Sequence, residues 1–108
     1  MSKYHNKKIT IGDLHFDSLK EALRYTELLE RQKAGFITDL RTQVRFELIP
    51  KQKGERACFY VADFVYKDRD GEMVVEDVKG SKRMLTDVYK IKKKLMLKVH
   101  GIKVKEIF

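Results

Sequence analysis

Phe59-Tyr60-Val61-Ala62-Asp63-Phe64-Val65-Tyr66 and, after a polar turn, Met73-Val74-Val75-Glu76-Asp77-Val78-Lys79 read as the two strands of one hairpin. The first run is apolar or aromatic on both faces except at Asp63, the pattern of a central strand covered on each side. Asp70-Gly71 between the runs is a turn signal, and Gly80-Ser81 breaks the second strand. Side chains alternate faces along a strand, so Val75, Asp77 and Lys79 share one face while Val74, Glu76 and Val78 share the other. Pairing about Asp70-Gly71 lays the Asp63 end of one strand beside the Asp77–Lys79 end of its partner. Two carboxylates and one ammonium then meet at the strand ends. A carboxylate inside an apolar strand needs a cation, several hydrogen-bond donors or a metal to offset its desolvation.

Working outward, Thr42, Val44, Phe46 and Leu48 alternate with Gln43, Arg45 and Glu47, which predicts a half-buried strand ending at Pro50, followed by a polar loop from Lys51 to Arg56. Upstream, Asp17 and Ser18 offer N-caps for a helix running to about Lys33, stopped by Ala34-Gly35. Its expected apolar stripe is Leu19, Ala22, Leu23, Thr26 and Leu29. Thr10 to Phe16 reads as a short strand or hairpin turning at Gly12-Asp13. Downstream, Thr86 or Asp87 caps a second helix with Val88, Ile91, Leu95 and Val99 on its apolar side. Gly101 ends it, and Ile102 to Phe108 alternates as a last strand. The order is α-β-β-β-α-β: an α/β domain with a central mixed sheet flanked by helices, whose last unit is a crossover.

The chain has 108 residues, 43% of them hydrophobic. That is one domain, residues 1–108, with a single modest core. Its apolar runs are far shorter than the roughly 20 residues that span a bilayer, so no membrane association is expected. The basic N-terminus is followed by no apolar run, so no signal peptide is read. A lone cysteine, Cys58, excludes an internal disulfide and a zinc finger, fits a reducing cytoplasm, and by its flanks occupies a buried strand position. His5, His15 and His100 are scattered and suggest no ligand set. The net charge of +8 favours a polyanionic partner, because lysine and arginine neutralise phosphates and release counterions.

Asp63, Asp77 and Lys79 together suit phosphodiester hydrolysis. Two carboxylates and a strand carbonyl offer the hard oxygen ligands that Mg²⁺ or Mn²⁺ takes. A metal there polarises a phosphate and lowers the pKa of a bound water, while the lysine orients that water or offsets developing charge. The bland alternative is a structural ion cluster at a strand end.

Tyr60-Val61-Ala62-Asp63-Phe64 followed by Val75-Glu76-Asp77-Val78-Lys79-Gly80 resembles the PD-(D/E)XK, or restriction-endonuclease-like, nuclease superfamily, and within it the small phage- and prophage-encoded members. The likeness extends to Phe16-Asp17-Ser18-Leu19-Lys20-Glu21-Ala22, to Gln43-Val44-Arg45-Phe46-Glu47-Leu48, and to the lysine-rich last helix ending in Gly101-Ile102. The resemblance implies that Asp63 and Asp77 bind the metal, that the Val78 carbonyl completes its shell, and that Lys79 is the catalytic lysine. It also implies that Glu21 binds or positions the metal. Ala62 stands where the motif has proline, and Asp77 where glutamate is frequent. Small superfamily members include Holliday-junction resolvases, which act as dimers. The resemblance therefore implies a homodimeric DNA endonuclease for branched or structured DNA, working in a bacterial or phage-infected host cytoplasm.

Other residues carry two readings. Ser18-x-x-Glu21 is also a capping box, in which the glutamate would reach back to the Ser18 amide. Gln43 points away from Val44 and either lines the site or is simply exposed. Lys82 and Arg83, directly after the motif, and Lys90, Lys92, Lys93, Lys94 and Lys98 on the last helix are candidates for DNA-backbone contact or for a solvated face. Tyr60, Phe64 and Tyr66 read as core. A non-catalytic nucleic-acid-binding module and an RNA-processing nuclease are the rival functions.

Overall fold

A computed structural model describes residues 8–108; the basic segment 1–7, with His5, lies outside the described residues. The elements are β1 (Ile9–Ile11), β2 (Leu14–Phe16), α1 (Leu19–Lys33), β3 (Thr38–Ile49), β4 (Cys58–Lys67), β5 (Met73–Val78), α2 (Asp87–Leu95) and β6 (Lys105–Ile107). β1 and β2 form a small hairpin through Gly12-Asp13. The other strands make one sheet in the order β3-β4-β5-β6, antiparallel across the first two pairs and parallel across the last. α2 is the crossover that the parallel pair requires. The mixed four-stranded sheet and its two helices follow the expected α/β order, with the β1–β2 hairpin added in front.

Each helix covers one sheet face, as strand parity dictates. Val74 and Val78 pack with Phe64, Tyr66 and the α1 residues Ala22 and Leu28, whereas Val75 packs with Tyr60, Ala62, Val65 and the α2-side residues Tyr89 and Met96. Phe16 on β2 joins the α1 side, with its ring 5.1 Å from that of Tyr25.

The helices bury only part of the stripes expected of them, Ala22 on α1 and Leu95 on α2. On α1, Leu19 and Leu23 are 60% and 53% exposed, and the buried face is Glu21, Ala22, Arg24 and Leu28. The cause lies on the sheet. Glu76 faces α1 from the centre of β5, and Arg24 turns inward to meet it. On α2, Val88, Ile91 and Val99 are exposed; Tyr89 and Met96 point inward instead. α2 ends as an α-helix at Leu95 and widens into a π-turn, Met96–His100, before Gly101 closes it at φ +68°. A left-handed φ of that kind favours glycine. The segment after Gly101 is extended only over 105–107, and Cys58 is half-buried rather than fully buried. No helix among the described residues is long and apolar enough to cross a membrane.

One irregularity shapes the region around Asp63. Tyr60 and Ala62 face the α2 side, yet Phe64 and Tyr66, still at even positions, face α1. On β3, Val44 and Phe46 pack on the α2 side and Leu40 on the α1 side. Both strands therefore exchange faces at one level, between the pairs Thr42↔Phe64 and Val44↔Ala62. At that level Gln43 has φ +52°. A left-handed residue inside a strand rotates the chain and re-aims the side chains beyond it.

Candidate active site

The face exchange and the end of the β4–β5 ladder coincide. β4–β5 pairing stops at Phe64↔Glu76, although β5 runs on to Val78. Into the gap the Asp63 side chain extends, and its Oδ2 accepts the Val78 amide at 2.7 Å. The carboxylate thus does what a strand carbonyl would have done, which satisfies a backbone donor where the strands part.

Around Asp63 the two sides of the sheet contribute different groups. From the α1 side, the Gln43 amide donates from Nε2 to Glu21 Oε1 at 3.2 Å and to Asp63 Oδ1 at 3.4 Å. From the α2 side come Asp77 and Lys79, paired at 3.0 Å between Oδ1 and Nζ. The Tyr60 hydroxyl donates to Asp77 Oδ2 at 2.6 Å. Lys79 Nζ also sits 3.9 Å above the Tyr89 ring, a cation–π contact that fixes the ammonium. The Tyr89 hydroxyl is buried without a formed hydrogen bond, and the Glu106 carboxylate acts on it electrostatically.

Glu21 resolves its two readings in part. Ser18 Oγ accepts from the Glu21 amide at 3.1 Å, which caps α1, but the Glu21 carboxylate is held by Gln43 and lies beside Asp63. Only 6% of Glu21 and 6% of Asp77 is exposed. Burial, followed by the neighbouring Glu21 carboxyl, pushes the Asp63 carboxyl up to about 7. Burial also raises Asp77, helped by the charge of Asp63 and opposed by Tyr60 and Lys79. The three acids therefore crowd one another, and their shared negative charge is only partly offset by Lys79.

Glu76 is excluded from this group, as parity requires. It is fully buried on the α1 side, gripped by Arg24 through Nε–Oε1 at 2.8 Å and Nη2–Oε2 at 2.7 Å, with a third hydrogen bond from Tyr66. Burial alone would raise its pKa, but these donors outweigh it and leave Glu76 below the ordinary carboxylate range.

The sequence-level candidates thus divide. Glu21, Gln43, Asp63, Asp77, Val78 and Lys79 come together at the parting strands. Lys82 and Arg83 lie exposed in a short 3₁₀ turn just after β5. Lys90, Lys93 and Lys94 instead rim a groove of about 390 Å³ floored by Leu85, Leu97 and Val104, and Lys93 pairs with Glu106 at 3.2 Å. Tyr60 belongs to the site although its pattern suggests core, and Tyr89 joins it from a helix position outside the expected apolar stripe. For Tyr60 the signal is a tyrosine, rather than phenylalanine, on a buried strand face, since its hydroxyl must find a partner.

Among the described residues no three carboxylate, imidazole or thiolate groups form a ready-made metal cage. The donor chemistry nevertheless suits a hard divalent cation. Asp63, Asp77 and Glu21 supply oxygens only, and burial, then the neighbouring acids, raises Asp63 and Asp77 above the ordinary carboxylate range. No curated protein and no solved structure matches the chain. A family model described as "Protein of unknown function (DUF1064)" matches residues 1–107, so the chain belongs to that family.

Proposed function

We propose that this protein is a metal-dependent DNA endonuclease with a restriction-endonuclease-like core, acting on branched or structured DNA. The observation that carries the reading is the convergence of Glu21, Asp63 and Asp77 with Lys79 where two central strands part. A purely structural ion cluster would neutralise its charges, as Arg24 and Glu76 do on the other face of β5. The candidate site leaves three acids facing one ammonium.

Asp63, Asp77 and the Val78 carbonyl would hold Mg²⁺ or Mn²⁺, with Glu21 in support. When bound, the ion supplies Lewis-acid polarisation of a phosphate and acidification of water. The chain's own groups do the rest. Lys79, anchored on the Tyr89 ring and by Asp77, keeps its ammonium fixed, where it orients a water and offsets charge building on the phosphate. Tyr60 pins the Asp77 carboxylate from behind. Gln43 ties Glu21 to Asp63, so that residues from a helix and two strands keep one relative position. Lys82 and Arg83, just beyond the motif, are placed for phosphate contact. Among the described residues little lies outside the core and the candidate site to read base order, which favours recognition of backbone and shape over sequence. Homodimerisation follows only if the substrate is a four-way junction, where two sites must cut opposed strands.

The test uses a supercoiled plasmid and a synthetic four-way junction, each with Mg²⁺, Mn²⁺ or EDTA, beside Asp77→Ala and Lys79→Ala. Cleavage that requires the metal and is lost in both variants supports the reading. Binding without cleavage under every metal condition sinks it in favour of a nucleic-acid-binding module. A preference for structured RNA in the same assay reassigns the substrate.

A further inference from the structure

Beyond Gln43, among the described residues, β3 and β4 pair only with each other. Val44↔Ala62, Arg45↔Val61, Phe46↔Tyr60, Glu47↔Phe59 and Ile49↔Cys58 lie past the end of β5, so the two strands project as a ribbon. The face exchange at Gln43 decides what each side of the ribbon does. Val44, Phe46, Leu48, Tyr60 and Ala62 are covered from the α2 side, where His100 Nε2 also meets the Glu47 carbonyl at 2.7 Å. The opposite side, continuous with Gln43, is left uncovered among the described residues: Val61 is 44% exposed. Arg45 lies across Phe59 on this side, its guanidinium 4.1 Å from the ring centre. The ribbon ends in a tight turn, closed by the reciprocal backbone pair Gln52–Glu55, that exposes Lys51, Lys53 and Arg56.

We propose that this uncovered face and its basic tip form the docking surface for a duplex DNA arm leading away from the candidate active site. The inference deepens the nuclease reading and rests on it for its direction, since the strip begins at Gln43. Charge identifies the occupant. Arg45, Lys51, Lys53 and Arg56 outnumber Glu47 and Glu55, with Arg45 on the strip and the other three gathered at its tip. The cations would meet the phosphates, which supply most of a non-sequence-specific affinity, and the apolar residues beside them would lie against the sugars. A second copy of the chain fits poorly, because it would bring one net-positive strip against another. The covered face also decides the mode: with α2 behind it, the ribbon lies along a duplex rather than inserting into it.

Length follows from strand geometry. Gln43 to Lys51 is eight residues, or roughly 26 Å at about 3.3 Å per residue. At about 3.4 Å per base pair that spans about eight pairs on one side of the cut.

The experiment measures fluorescence anisotropy of labelled duplexes of increasing length with the full chain in EDTA, across a salt series. It compares the wild type with Lys51→Ala/Lys53→Ala/Arg56→Ala and with Arg45→Ala. These side chains are exposed, and circular dichroism checks the fold. We expect wild-type affinity to rise steeply up to about eight to ten base pairs. The triple variant should bind about tenfold or more weakly, with a salt slope lower by about 2 to 3, the loss of three phosphate contacts. An unchanged salt slope and length dependence in the variants would overturn the docking surface while leaving metal-dependent cleavage intact. The converse result, altered binding with no cleavage in Mg²⁺, would overturn the nuclease reading and keep the surface. A wild type that binds no duplex, or a self-association that the triple variant disrupts, would also overturn it.

Discussion

The Val78 amide donates to Asp63 Oδ2 at 2.7 Å at the point where β4 and β5 cease to pair, so one side chain both closes the backbone ladder and heads the acidic cluster. Asparagine at position 63 can still accept that bond through its carbonyl oxygen. Asp63→Asn should therefore fold, yet cleave in Mg²⁺ at least about 100-fold more slowly, the scale of loss when one preorganised transition-state-stabilising group is removed. Equal cleavage by the variant would remove Asp63 from the site.

The same carboxyl makes a prediction about pH. Its folded pKa, about 7, lies above the ordinary value of 3.8, mainly through burial and then through Glu21. Between those values the folded state binds more protons than the unfolded chain, so stability falls as pH rises through this window and levels off above it. In EDTA, thermal unfolding from pH 4.5 to 8 should show a decline on the order of 2 kcal/mol, after discounting for the solvent-facing part of the group. Asp63→Asn should flatten it. An unchanged slope in that variant would place the titration elsewhere.

Metal binding should reverse that decline. A ligand that binds only the folded state stabilises it by mass action, by about 2.7 kcal/mol at 100 times its dissociation constant. At pH 8, saturating Mg²⁺ or Mn²⁺ should raise the melting temperature by several degrees in the wild type and in Lys79→Met. Asp77→Asn should lose the shift. A shift of equal size in Asp77→Asn would show that the ion binds at other residues.

The strand half of this site is legible in sequence because a two-residue period leaves little freedom. Asp77 and Lys79 must share a face, Glu76 must oppose them, and the turn at Asp70-Gly71 brings Asp63 alongside. The helix half is legible only at Glu21, through the resemblance. Arg24 looks like a solvent residue on a wheel whose leucines should face inward, and its burial makes sense only once Glu76 is known to lie beneath it. Likewise Val88 and Ile91 outrank Tyr89 in hydrophobicity, but the ring of Tyr89 is what Lys79 rests upon. The left-handed backbone of Gln43 has no signal in residue type, since glutamine has no preference for it.

Arg24 gives a sharp stability test. Its bidentate contact with Glu76 is buried at both ends. Removing one partner of such a pair leaves an uncompensated buried charge, at a cost of about 3–5 kcal/mol. Arg24→Met should lower stability by that amount in denaturant titration, and Arg24→Met/Glu76→Gln should recover part of it, because Tyr66 can still donate to the amide oxygen. If the double variant were less stable than the single one, the charge left on Glu76 would not be the source of the loss.

Gln43 separates strain from function. A non-glycine residue at φ +52° costs about 1–3 kcal/mol, which the surrounding strands must offset. Gln43→Gly relieves the backbone but removes the amide that joins Glu21 to Asp63. It should leave the protein equally or slightly more stable, by up to about 1 kcal/mol, while slowing cleavage about tenfold or more. Gln43→Val, branched at Cβ and ill suited to a left-handed φ, should instead destabilise by about 1–2 kcal/mol. Thermal unfolding and the junction assay on the same three proteins decide between the two roles. If the glycine variant were stable and fully active, the bridge from Glu21 to Asp63 would be dispensable. If both variants were destabilised alike, the left-handed geometry would not be what Gln43 sustains.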